Sequence, residues 1–181
     1  MIRIFSALAA LLLAGSLQAQ EARVVWPEYE SPKVVYEFYF DHPAKIGPAL
    51  FWIRALMNPL MDEPYDMAPE FMDIQVVIHG TEIVTLVKKN YDKYQEAVQR
   101  MRYYDSLGVS FKVCGLAAHD FGYTTADFHD FVEIVPSAFT ELVHWQQKGY
   151  ALIVPQVFER QLTVDEIPVS YTHLTLPTTR L

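Results

Sequence analysis

Apolar positions along the chain change period several times, and each change predicts an element. Lys33 to Phe40 is dense in β-branched and aromatic residues and reads as a first strand, entered at Pro32. From Ala44 to Met57 the apolar residues Ile46, Leu50, Ile53, Leu56 and Met57 fall near helical spacing, so a helix is expected there, ending at Asn58-Pro59. Met61 to Glu70 sets Asp62, Glu63, Asp66 and Glu70 among prolines; it reads as a solvated loop, since the spacing matches no calcium loop. Asp73 to His79 is a second strand, apolar enough to be buried on both faces. Thr81 to Lys89 is expected as a short helix or structured loop. Asn90 then caps a helix from Tyr91 to Leu107, with Tyr94, Ala97, Val98, Met101 and Tyr104 inward and Gly108 as its stop.

Val109 to Cys114 alternates apolar and polar positions as a third strand, and Gly115 lets the backbone turn at its end. Gly115 to His129 is less regular, with one short helical turn opening at Thr124 or Thr125. Phe131 to Val135 is a fourth strand. Pro136-Ser137 starts a helix with Phe139, Leu142, Val143 and Gln146 on its inner side, stopped at Gly149. Tyr150 to Val154 is a fifth strand, closed by Pro155. Strands alternating with helices imply βαβ units. The expected fold is α/β, a three-layer α/β/α domain around a mostly parallel five-stranded sheet.

The two ends read differently. Residues 1–19 have one early arginine, an apolar run from Ile4 to Leu13 and a polar stretch closing on Ala19, the layout of a secretory signal peptide. The expected product is a soluble periplasmic protein, with no membrane attachment after cleavage. Residues 20–32 form a polar N-terminal extension that packs Trp26 on the domain, and the domain runs over 33–168. Residues 169–181 show no periodicity and are expected to be a non-native tail.

Composition narrows the function. The chain has 181 residues and is 51% hydrophobic, enough for one domain with a sizeable core. Its formal net charge of -8 argues against nucleic acid as a partner, because phosphate binding needs clustered Lys and Arg. No glycine-rich phosphate loop, dinucleotide fingerprint or nucleophile elbow occurs, so no cofactor is expected. His119 and His129 with nearby aspartates lack metal-ligand spacing, so no metal is expected either.

The chemistry then falls to the single cysteine. Cys114 ends a predicted strand, and sites in parallel sheets are built at carboxyl ends. With no second cysteine it forms no intrachain disulfide, and in an oxidising compartment a free thiol is either buried or used. Two readings stay open: a buried small apolar residue, or a thiolate that carries sulfane sulfur as a persulfide. His79 ends a second strand and is the candidate to favour the thiolate or take the thiol proton; the plainer alternative is a strand-end histidine bonded to backbone. Gly80, Gly115 and His119 are the residues expected to line such a site.

Val76-Val77-Ile78-His79-Gly80, a helix, Leu107-Gly108-Val109 through Val113-Cys114-Gly115, then Val135-Pro136-Ser137-Ala138 and Gln147-Lys148-Gly149-Tyr150-Ala151 together resemble the DsrE/DsrF-like family, in an exported branch. The resemblance covers roughly Lys33 to Gln156. It implies a flavodoxin-like α/β/α fold, homotrimers or hexamers, and a cysteine that receives sulfur and hands it on. Cys114 fits the Val-Cys-Gly motif of the less characterised branch of that family. On this reading the chain is a sulfur carrier or sulfurtransferase-like protein, with sulfur donors and acceptors that are proteins or small compounds. The alternative is a non-catalytic ligand-binding or assembly module with a structural cysteine.

Overall fold

The protein is described by a computed structural model covering residues 21–167. The segments read as signal peptide and non-native tail lie outside the described residues. Strands β1 (Lys33–Phe38), β2 (Asp73–Ile78), β3 (Ser110–Cys114), β4 (Val132–Val135) and β5 (Ala151–Ile153) form one sheet in the order β4-β3-β2-β1-β5. Every neighbouring pair is parallel. Four helices connect them: α1 (Ile46–Met61), α2 (Tyr91–Ser106), α3 (Gly115–Asp120) and α4 (Ala138–Gln147).

The strand order sets the layers. The chain steps outward from β1 to β4 and then crosses back to lie beside β1 as β5. Right-handed crossovers therefore put α4 on the face opposite α1 and α2. Side chains alternate accordingly. Tyr36, Phe38, Val76, Ile78, Phe111 and Val113 meet α1 and α2 in the main core. Val35, Val77 and Cys114 face the other way and meet Ala138 and Leu142 of α4 in a smaller one. Both faces are covered, but unevenly. Polar residues on strands of the thin face take local partners: Gln75 donates to Asp73, and Lys112 pairs with Glu133 and lies over the Trp145 ring.

Local differences from the sequence reading have physical causes. α1 continues through Asn58-Pro59 to Met61. Proline removes only the bond to the Ala55 carbonyl, which lies on the exposed side, while burial of Leu60 holds the last turn on the core. Asn90 stands at the N-cap position of α2, yet its side chain donates to the Val84 carbonyl and anchors the preceding 3-10 turns instead. α4 is rotated relative to expectation. Ala138 and Leu142 face the sheet, whereas Phe139 and Val143 are 67% and 52% exposed. Ala138 lets the helix sit close over the strands, and that close seat turns the larger side chains outward. Gly108 follows α2 with φ +94, the left-handed conformation that glycine adopts freely. The segment before β1 is irregular, and Trp26 meets the edge of Tyr65 at 6.0 Å while remaining exposed.

Candidate functional site at the carboxyl edge of the sheet

Cys114 is the last residue of β3 and pairs with Val135 of β4. Its residue surface is 6% exposed, and it belongs to the smaller apolar cluster that holds Val35, Val77, Ala138, Leu142 and Tyr150. Gly115 opens α3 directly after it. The glycine is needed for space rather than for a left-handed turn: a Cβ there would lie 2.9 Å from the Val135 carbonyl oxygen. Strands β3 and β4 thus converge tightly around the cysteine.

His79 follows β2. The register that pairs Ile78 with Val113 carries His79 to the level of Cys114, on the same face. Its Nε2 lies 2.9 Å from Glu37 Oε1, across β1. Its ring stacks on Tyr39 at 4.6 Å between centroids and meets Phe139 of α4 edge-on at 5.5 Å. The ring is therefore oriented by a carboxylate and two aromatic neighbours, not by backbone. Glu37 accepts, so Nε2 carries the proton and Nδ1 is left as the ring's acceptor.

Beneath His79 the ends of β1 and β2 are tied by a buried carboxylate. Glu82 is 0% exposed and accepts the backbone N–H of Phe40 at 3.0 Å and of Gly80 at 2.9 Å. Burial pushes its carboxyl up to about 7, against the opposing pull of those N–H groups. Glu82 takes the Phe40 N–H away from the ladder, while the Phe40 carbonyl still accepts the Thr81 N–H at 3.0 Å, and β1 stops at Phe38 rather than Phe40. Gly80 sits in this crossing, where a Cβ would lie 2.5 Å from the Phe40 nitrogen and 2.7 Å from its oxygen.

Cys114, His79, Gly80 and Gly115 thus belong to one edge of the sheet. His119 does not join them. It lies on α3 with its side chain 91% exposed, 3.8 Å from Asp120. His129 packs between Tyr91 and Phe131 and its N–H bonds the Leu86 carbonyl. Among the described residues, no three His, Cys, Asp or Glu side chains gather as metal ligands. Sequence reasoning missed Glu37 and Glu82. Glu37 was signalled by its place in β1, a lone carboxylate two residues from the buried Val35. Glu82 carried no comparable signal, since it lies in a 3-10 segment without periodicity.

A cavity of about 630 Å³ opens at this edge, reached by His79, Tyr39, Gly80 and Thr81 and by residues of α3 and the segment after β5. What the arrangement offers is a thiol in a tight strand end, an oriented imidazole beside it, and an adjacent space for a small molecule.

Comparison with known proteins follows the same lines. The structure of MTH1491, a protein of unknown function from Methanobacterium thermoautotrophicum, superposes with a TM-score of 0.55 at 22% identity, covering 68% of this chain and 99% of that one. The crystal structure of the E. coli YchN protein gives a TM-score of 0.47 at 15% identity, covering 68% of this chain and 98% of that one. The first likeness bears on the fold, an all-parallel α/β sheet of the expected kind. Comparison with curated protein sequences gave no match. The profile of the DsrE/DsrF-like family matches residues 33–155, β1 through the end of β5, and the chain belongs to that family.

Proposed function

We propose that the protein is an exported sulfur carrier in which Cys114 accepts sulfane sulfur as a persulfide and relays it to an acceptor thiol. Family membership supports a sulfur-relay role at the coarse level. The observation that carries the finer reading is the placement of Cys114 and His79 at one level on neighbouring strands, with His79 held by Glu37 at 2.9 Å. Nδ1 accepts the thiol proton, and Glu37 stabilises the imidazolium that results. The thiolate attacks the outer sulfur of a hydropersulfide donor. One S–S bond forms, the donor's S–S bond breaks, and the donor leaves as a thiolate. An acceptor thiolate then attacks the outer sulfur of the Cys114 persulfide by the same displacement, so no external oxidant is consumed. Export rests on the pattern of residues 1–19.

A second reading has an observation of its own: Cys114 is 6% exposed under α4, as a structural cysteine in a binding or assembly module would be. Intact mass of the mature protein after incubation with polysulfide separates the two. A reductant-sensitive gain of about 32 Da per sulfur atom, absent in Cys114→Ser, is expected for the carrier. No gain, with a thiol that resists alkylation until unfolding, would establish the structural role.

The proposed assembly is a homo-oligomer, a trimer or hexamer. The exposed Phe139 and Val143 on the thinly covered face support it, since exposed apolar side chains grouped on one helix mark contact surfaces. Light scattering on the purified protein is expected to give a multiple of the protomer mass; a monomer at all concentrations would refute the assembly.

A further inference from the structure

The cavity beside His79 has a chemistry that Cys114 does not explain. We infer that it binds a small zwitterionic thiol of peptide size, with its carboxylate at Lys45 and its ammonium group at Asp120. Lys45 closes the 3-10 turn after β1, and Asp120 closes α3 after β3. β2 lies between those two strands and runs on into His79 and Gly80, so the opposite charges flank the β2 end within one cavity. Phe121 and Phe158 add apolar wall that stands open to solvent.

The charge pattern selects against an inorganic sulfur anion. His79 is already matched by Glu37, and Lys45 by Asp41 at 2.7 Å. A hydrated dianion such as thiosulfate would face two carboxylates, Asp41 and Asp120, against the one Lys45 cation, and two apolar walls. A ligand carrying both charges on an apolar body satisfies the site without net charge transfer. Asp41 is largely exposed and Lys45 lies one turn from it, so a ligand carboxylate displaces a weak surface pair. The volume, about 630 Å³, is of the size that holds small organic ligands. His79 lines the cavity and also stands level with Cys114, which brings the bound sulfur to the relay edge.

The thiol in this assignment rests on the sulfur-carrier reading; the zwitterion does not. S-Methylcysteinylglycine, a dipeptide with one ammonium group, one carboxylate and no transferable sulfur, therefore tests the site alone. Calorimetry on the mature protein is expected to show saturable binding, tighter than that of thiosulfate. Lys45→Gln and Asp120→Asn are each expected to weaken it about tenfold, the loss of one charge-assisted hydrogen bond. Cys114→Ser is expected to bind it unchanged. No saturable heat at millimolar ligand, equal affinity in both charge variants, or tighter binding of thiosulfate would overturn the inference. None of these outcomes depends on persulfide formation. Conversely, binding with no mass gain on Cys114 would refute the carrier and leave the site standing.

Discussion

Alanine at position 80 is expected to cost about 3 kcal/mol of stability, at the upper end of what overpacking does to a buried site. The added methyl group would lie 2.5 Å from the Phe40 nitrogen, 2.7 Å from the Phe40 oxygen and 2.5 Å from Glu82 Oε2. Two of these three atoms are backbone. They are held by the Glu82 and Thr81 hydrogen bonds that cross-link the ends of β1 and β2. Relief requires Phe40 to move, and Tyr39 beside it stacks on His79. The substitution should thus both lower the denaturant midpoint at unchanged slope and disturb the His79 ring. Gly47 supplies the control. It lies in α1 with no atom beyond its chain neighbours within 4 Å of its would-be Cβ, and crowding by the Pro48 ring offsets the gain in helix propensity, so Gly47→Ala is expected to change stability by less than about 1 kcal/mol. Equal midpoints for the two variants would refute the packing argument.

Gly80 also shows where sequence reasoning stops. All five strands were legible, because a parallel sheet buried on its main face writes long apolar runs with glycine or proline at their ends. The direction of the sheet and the family resemblance were legible for the same reason. α3 was not read as a helix. Six residues beginning with glycine span fewer than two turns, too short for a hydrophobic stripe to declare itself. The inner face of α4 was misread because Phe139, Leu142, Val143 and Gln146 also fall at helical spacing, displaced round the helix from the line that is buried. Ala138 and Leu142 form the inner line, and an alanine there carries a weaker hydrophobic signal than Phe139.

For the site, Cys114 and His79 were visible as polar or reactive residues at apolar strand ends. Their common level was not visible, since register depends on which strands become neighbours. The Glu37 contact crosses 42 residues of chain, and pairings of that kind appear only when β1 and β2 are laid side by side. Gly80 was picked out as a lining residue. The reason it must be glycine lies in Phe40 and Glu82, one of them 40 residues away.

Stability should fall as pH rises from about 4.5 to about 7, and Glu82 should be the cause. An ordinary glutamate has lost its proton by pH 7, whereas the folded chain holds the Glu82 proton up to about that pH because burial disfavours the charge. Across this window the folded state binds more protons than the unfolded state. Each rise in pH therefore favours unfolding until the folded carboxyl also ionises. The full loss is about 3 kcal/mol, from a shift of two to three pH units at about 1.4 kcal/mol each. Two backbone N–H groups oppose this by stabilising the carboxylate, so the sign of the observed slope reports which influence is larger. Chemical denaturation of the wild type at pH 5 and pH 8 measures the loss. In Glu82→Gln the same pair of measurements should differ far less. The variant should also start about 1 to 2 kcal/mol lower, because one amide oxygen serves one N–H and the amide nitrogen faces the other. A wild type equally stable at both pH values would mean that Phe40 and Gly80 hold the carboxylate charged throughout, and that the β1–β2 clasp beneath His79 is a fixed ion site rather than one that loosens as it loses its proton.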